Sequence, residues 1–164
     1  MAHRSFRHLL IGLSLLAASA AWAGQAEVRF VGAERFADIG FASADRERAL
    51  QGLSAHLQRL AERLPAGLTL QVEVLDVDLA GELRLVNLEQ LRVLGQGADM
   101  PRLHLRYELR EGDRRISAGE DRLSDPGYLT HTGSRQASEP LHFERRMLDG
   151  WFRDRFAAQV AGLR

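Results

Sequence analysis

Asp76-Val77-Asp78-Leu79-Ala80-Gly81-Glu82 is the segment whose residue types and spacing come closest to chemistry. Just before it, Leu68, Leu70, Val72 and Val74 alternate with Thr69, Gln71 and Glu73, as in a strand with one face on a core. Continued without interruption, that alternation puts Asp76 and Asp78 on the buried side, with Glu82 close behind. Carboxylates at the rim of a core need partners: an arginine, backbone N–H groups or a metal ion. Hard cations such as Ca²⁺ and Mg²⁺ take oxygen ligands of this kind. Asp76, Asp78 and Glu82 therefore form the candidate metal set, and a metal-dependent, hydrolase-like enzyme centred on Asp76 and Asp78 is the catalytic reading. An EF-hand is excluded. Asp76, Asp78 and Gly81 fill its first, third and sixth positions, but Ala80 and Asn87 stand where oxygen ligands are required. The plainer alternative, a strand that ends and turns outward with its acids capping the turn, is preferred.

Three further constellations are weaker. In Leu141-His142-Phe143-Glu144 the His and Glu share a face on a strand but diverge on a helix, so a metal reading needs the last helix to begin late. With an early start, Glu144 points to the apolar side and calls for a nearby arginine. Asp125 and His131 lie near Ser124, Ser134 and Ser138, the ingredients of a Ser-His-Asp triad, but no G-x-S-x-G elbow presents a nucleophile. His104 alternates with buried residues and belongs in solvent, and His56 flanks a leucine stripe as a helix-border residue. No residue is assigned a catalytic or cofactor-binding role.

Composition closes other routes. The 164 residues include no cysteine, which removes disulfides, thiol nucleophiles and thiolate metal sites. All 22 basic residues are arginine, so amine catalysis by lysine is impossible. The 22 basic residues are balanced by 22 acidic ones, without the clustered basic excess of a nucleic-acid binder. At the start of the chain, Arg4 and Arg7 precede an apolar run from Leu9 to Ala21, and Ala21-Trp22-Ala23 has small residues where a signal peptidase reads. The run is too short to span a bilayer. Residues 1–23 are read as a cleavable signal peptide, and 24–164 as one α+β domain with no transmembrane segment.

The elements that must position these residues follow from periodicity. Val28 and Phe30 mark a first short strand. Leu50, Leu53, Leu57, Leu60 and Leu64 recur at helical spacing behind the N-cap candidate Ser43, and Pro65-Ala66-Gly67 ends that helix. After the strand from Leu68, a looser stretch from Asp76 to Gln90 leads to a short strand at Leu91 and Val93. Leu103, Leu105, Tyr107 and Leu109 alternate with polar residues. Glu111-Gly112-Asp113 turns the chain into a strand from Arg114 to Leu123, with a bulge expected at Gly119. Tyr128 to Glu139 reads as an exposed loop, and Pro140 opens a final helix carrying Leu148, Trp151, Phe152, Phe156 and Val160. The order β-α-β-(β)-β-β-α predicts an antiparallel sheet of four to five strands with two helices on one face.

Several of these segments together resemble a bacterial family known as domain of unknown function family 3016. They are Val28-Arg29-Phe30, Phe36-Ala37-Asp38-Ile39, the leucine helix ending at Leu64-Pro65, Leu75-Asp76-Val77-Asp78-Leu79-Ala80-Gly81, Pro101 with Tyr107-Glu108-Leu109, and Phe143 to Phe152. The resemblance covers nearly all of the chain after the leader. It implies an exported protein of similar size and assigns no activity, ligand or catalytic residue. The expected role is a non-enzymatic periplasmic domain that binds an envelope protein or another envelope component. Its expected contact surfaces are the loops Tyr128 to Glu139 and Phe36 to Phe41.

Overall fold

A computed structural model describes residues 23–86, 89–95, 99–131 and 139–162. The leader, apart from Ala23, and the loop residues 132–138, which include Ser134 and Ser138, lie outside the described residues. The chain runs β1 (Gln25–Phe30), a 3₁₀ turn at Ala33–Arg35, α1 (Ser43–Ala61), β2 (Leu68–Asp78), β3 (Glu82–Val86), β4 (Glu89–Val93), β5 (Arg102–Glu111), β6 (Arg114–Ser124) and α2 (His142–Val160). Four strands form the main sheet in the order β1-β2-β5-β6, and β3-β4 is a separate hairpin. The α+β class holds, but the sheet is mixed. β1 pairs parallel to β2, Val28 beside Val72 and Phe30 beside Val74, while β2-β5 and β5-β6 are antiparallel. The physical reason is the crossover: α1 carries the chain back along the sheet, so β2 re-enters in the direction of β1.

The core lies between one face of this sheet and the two helices. Leu70, Val72, Val74 and Val77 of β2 and Leu103, Leu105 and Leu109 of β5 are buried against Leu53, Leu57 and Leu60 of α1 and Leu148, Phe152 and Phe156 of α2. Tyr107 packs edge-on against Trp151 and Phe156 at centroid distances of 5.7 and 5.6 Å. Gly119 is paired with Tyr107 in regular register, and a Cβ there would stand 2.8 Å from the tyrosine Oη. The glycine therefore makes room for the ring. The bulge of β6 falls instead between the Leu109–Ser117 and Arg110–Arg115 pairs, leaving Ile116 as the extra residue, partly buried against the core.

Among the described residues the opposite sheet face carries no helix. Arg29, Glu73, Arg106, Glu120 and His104 form an ion-paired ladder across all four strands, with Glu73–Arg106 at 3.1 Å, Arg106–Glu120 at 2.9 Å and His104–Glu120 at 2.7 Å. Such exposed pairs add little stability. They keep an uncovered face polar. Among the described residues, no helix is long and apolar enough to cross a membrane.

Candidate functional site

β2 does not continue its alternation to the end. A bulge between Val74 and Asp76 leaves Leu75 opposite no residue of β5, and the phase slips by one. Val77 takes the core position, fully buried, while Asp76 and Asp78 turn to the partly exposed side. This corrects the expectation of core-facing carboxylates. Asp76 accepts hydrogen bonds from the backbone N–H groups of Ala37 (2.9 Å) and Val77 (3.0 Å). Asp78 takes Arg102 at 2.8 Å, and Glu82, out on β3, takes Arg84 at 2.9 Å. The three acids go to three separate partners. Among the described residues, no three His, Cys, Asp or Glu side chains gather as a metal site.

What the segment builds is a fixed corner. Gly81 has φ of 82°, and a Cβ there would stand 2.7 Å from the carbonyl oxygen of Val93, so only glycine lets the chain turn so close to β4. Arg92 of β4 reaches across this corner. Its guanidinium donates to both Asp38 carboxylate oxygens, at 2.9 and 3.1 Å, and to the Gly81 carbonyl oxygen at 2.8 Å. The bidentate geometry suits a planar fork and fixes direction as well as distance. Asp38 also receives the Gly40 N–H at 3.1 Å, which holds the loop after the 3₁₀ turn. Beyond the hairpin, the Tyr128 hydroxyl donates to the Gly95 carbonyl oxygen at 2.6 Å and accepts from the Gly95 N–H at 3.2 Å. The β3-β4 hairpin is thus secured by polar groups on both sides.

Next to this corner, the N-terminus of α2 and the side of α1 enclose a cleft of about 410 Å³. Its walls include Leu79, Ala80, Leu94, Leu141 and Phe143, and its rim carries Asp45, Arg48, Arg92, Glu139 and Arg145. Pro140 precedes the helix rather than opening it. Leu141, at the N-cap, adopts φ of 60°, the left-handed region that a leucine seldom occupies. Its side chain packs where α1 has Gly52, since a Cβ on Gly52 would lie 2.7 Å from the Leu141 Cδ1. Glu144, in the first helical turn, is 3 % exposed and accepts the Ala80 N–H at 2.7 Å. Burial raises its carboxyl above the ordinary range, against the pull of that N–H, its own N–H, Arg92 and His142. The expected arginine partner is corrected: a backbone donor takes the direct bond, and Arg92 acts only through its field. Because α2 begins at His142, His142 and Glu144 do not share a face, as the metal reading would require.

The remaining histidines have local partners. His56 links the two helices, with Nε2 2.9 Å from the Asp149 carboxylate and Nδ1 3.2 Å from Arg59. An arginine donates only, so Nδ1 accepts and Nε2–H donates, the neutral tautomer. Burial lowers its pKa below 6.5. His131 does meet Asp125, at 3.0 Å, and Arg146 holds the other Asp125 oxygen at 3.0 Å. His104 takes the ladder face that its alternation required, but it is half-covered rather than in open solvent, its side chain 21 % exposed and 2.7 Å from Glu120.

Of the expected contact loops, Phe36 to Phe41 is half anchored. Ile39 is buried and Phe36 packs on the core, while Phe41 stays 69 % exposed. Tyr128 is corrected outright: it is 1 % exposed and packs edge-on against Phe143 at 4.8 Å. Sequence reasoning passed over Arg92, Asp38 and Tyr128. Their partners lie far along the chain, and the signal that existed was an arginine and an acid, each within an otherwise apolar stretch.

An α+β fold with a mixed sheet, a latched hairpin and a mainly apolar cleft beside it is therefore the class of protein that carries this site. The chain belongs to the family Protein of unknown function (DUF3016), whose model matches residues 24–154. No curated protein and no solved structure matches it.

Proposed function

We propose that this chain is an exported periplasmic domain that binds another envelope protein or an envelope component without transforming it. The observation that carries the reading is the cleft between α1, the α2 N-terminus and the Leu79–Gly81 corner. Most of its charged groups are already matched, Arg92 with Asp38, Arg48 with Asp45 and Glu144 with a backbone N–H, while Arg145 stands 3.7 Å from Glu139 and keeps its Nε buried without a hydrogen-bond partner among the described residues. Such a cleft offers shape, apolar wall and fixed charge, the ingredients of recognition.

Export is supported by the basic residues, apolar run and Ala21-Trp22-Ala23 of the leader. The family match begins at Gly24, which is buried and donates its N–H to the Leu64 carbonyl oxygen at 3.1 Å. A chain cut before Gly24 places its new ammonium group near the carboxyl end of α1, where a cation is favoured.

The test is a photo-crosslinking residue introduced in cells at Leu94, 41 % exposed beside the cleft, or at Val160, 39 % exposed at the end of α2. The reading expects a discrete adduct in the periplasmic fraction from position 94 and none from 160. Equal adducts from both positions, or none from either, overturn it.

A further inference from the structure

β6 is, among the described residues, an edge strand: it pairs with β5 on one side and with no strand on the other. Among the described residues, no backbone hydrogen bond outside the sheet reaches Arg114–Ser124. An edge of this length is a template for another strand unless something covers it. Along Asp121–Asp125 the edge forms one wall of an open groove of about 730 Å³, and α2 forms the other, through Met147, Gly150, Trp151 and Arg153. Five residues of extended chain span roughly 17 Å at about 3.4 Å per residue.

The floor and rim specify what fits. Gly150 leaves the helix side open, since a Cβ there would meet nothing nearer than the Arg153 guanidinium at 3.7 Å. Met147 and Trp151, on either side of it, are largely buried and give the floor a small apolar patch within a groove otherwise lined mainly by charged residues. The acids of the groove are already occupied. Asp121 takes the Trp151 indole N–H at 2.9 Å and Arg155 Nε at 2.8 Å, Asp125 takes His131 and Arg146, and Asp154 takes Arg153. Arg122 is exposed and has no ion-pair or hydrogen-bond partner among the described residues. It stands opposite His104, on the helix-free face of the sheet. An added strand with alternating side chains would therefore set an acid beside Arg122 and apolar residues over the Met147–Trp151 floor.

We infer that β6 and α2 form a docking groove for an extended, alternately acidic and apolar segment of a partner polypeptide, bound by strand addition to the β6 edge. The inference rests on the reading of the chain as a binding domain, but it uses a surface other than the cleft. Main-chain hydrogen bonds supply the affinity in this mode, and side-chain pockets supply the selection.

The test titrates the purified chain with a short capped peptide of alternating Asp and Val, reading backbone amide resonances. Two further forms are N-methylated, one on the Asp residues and one on the Val residues. Only one of these sets of N–H groups can face β6, so one methylated form should bind at least about tenfold more weakly while the other binds as the parent does. Shifts should cluster on β6 and on residues 146–155 of α2. Arg122→Glu should weaken binding several-fold, whereas Leu94→Ser at the cleft should leave it unchanged. Equal binding of all three peptide forms, shifts centred on the cleft, or no binding overturns the proposal. So does a dimer in sedimentation that takes up no peptide, which would assign the edge to a second copy. Failure of the Leu94 crosslink with success here removes the cleft reading alone.

Discussion

Replacing Arg92 with methionine tests the corner on which the cleft depends. The substitution keeps most of the aliphatic stem and deletes two charge-assisted hydrogen bonds to Asp38 and one to the Gly81 carbonyl oxygen. Bonds to a charged partner are worth about 1.5–3 kcal/mol each when well shielded. Here the Arg92 and Asp38 side chains keep 25 % and 26 % exposure, so solvent screens part of that gain. The net expectation is a loss of about 2–4 kcal/mol. At about 2–4 °C per kcal/mol for a domain approaching this length, Tm should fall by roughly 5–15 °C. Urea denaturation of the wild type, Arg92→Met, Asp38→Asn and the double variant closes a cycle whose coupling should be about 1–2 kcal/mol. Amide exchange should rise first in β3 and β4, which pair only with each other. Coupling indistinguishable from zero, with hairpin exchange unchanged, refutes the latch.

Other perturbations probe the rest of the account. Tyr128→Phe keeps the ring against Phe143 but strips the Gly95 N–H and C=O of their partner, so a loss of about 1–3 kcal/mol is expected by urea denaturation. His56 has a folded-state pKa below 6.5, so the native state binds fewer protons than the unfolded chain just beneath that value, and wild-type stability falls as pH drops through 6.5. His56→Gln should be less stable by about 1–2 kcal/mol at pH about 7.5, with the gap narrowing at about 5.5 in urea midpoints. Glu144 has the opposite sign: its carboxyl is raised above 4.5, so its contribution is full below that pH and is lost as pH rises through the folded value. Glu144→Gln should therefore gain on the wild type between pH about 4 and 7 in the same assay. Thermal unfolding with Ca²⁺, Mg²⁺ or Zn²⁺ against a chelator should show no shift, because Asp76, Asp78 and Glu82 have separate protein partners. A bound ion at a hundredfold excess over its Kd would add about 2.7 kcal/mol.

The helices and most strands were legible because they repeat. The Leu53, Leu57, Leu60 stripe and the alternation around Leu105 and Tyr107 each state which face is buried, and those faces are the ones that meet in the core. Periodicity does not state direction; the sign that β1 and β2 run parallel lies in the element order, because a helix between two strands returns the chain for a parallel pairing. It also assumes an unbroken count. Leu75 is one extra apolar residue with no glycine or proline to announce it, and that single slip moves Asp76 and Asp78 to the other side of the strand. Glu82–Val86 forms a strand within the looser stretch, but its five residues, ending in two adjacent apolar ones, are too short to set a period apart from their surroundings. A glycine inside a strand signals a bulge or a close approach with the same residue, and at Gly119 it is the close approach of the Tyr107 ring. The candidate site was least legible of all. The Arg92–Asp38 pair joins residues 54 apart, and nothing local to either one names the other. Tyr128 was hidden by the polar residues that follow it.

Intact-mass measurement of the chain from the periplasmic fraction of its own cells tests the central claim most directly. The account predicts a species beginning at Gly24, with its new amino group seated by the Leu64 carbonyl oxygen. Material that begins at Met1 and remains in the cytosol would contradict it.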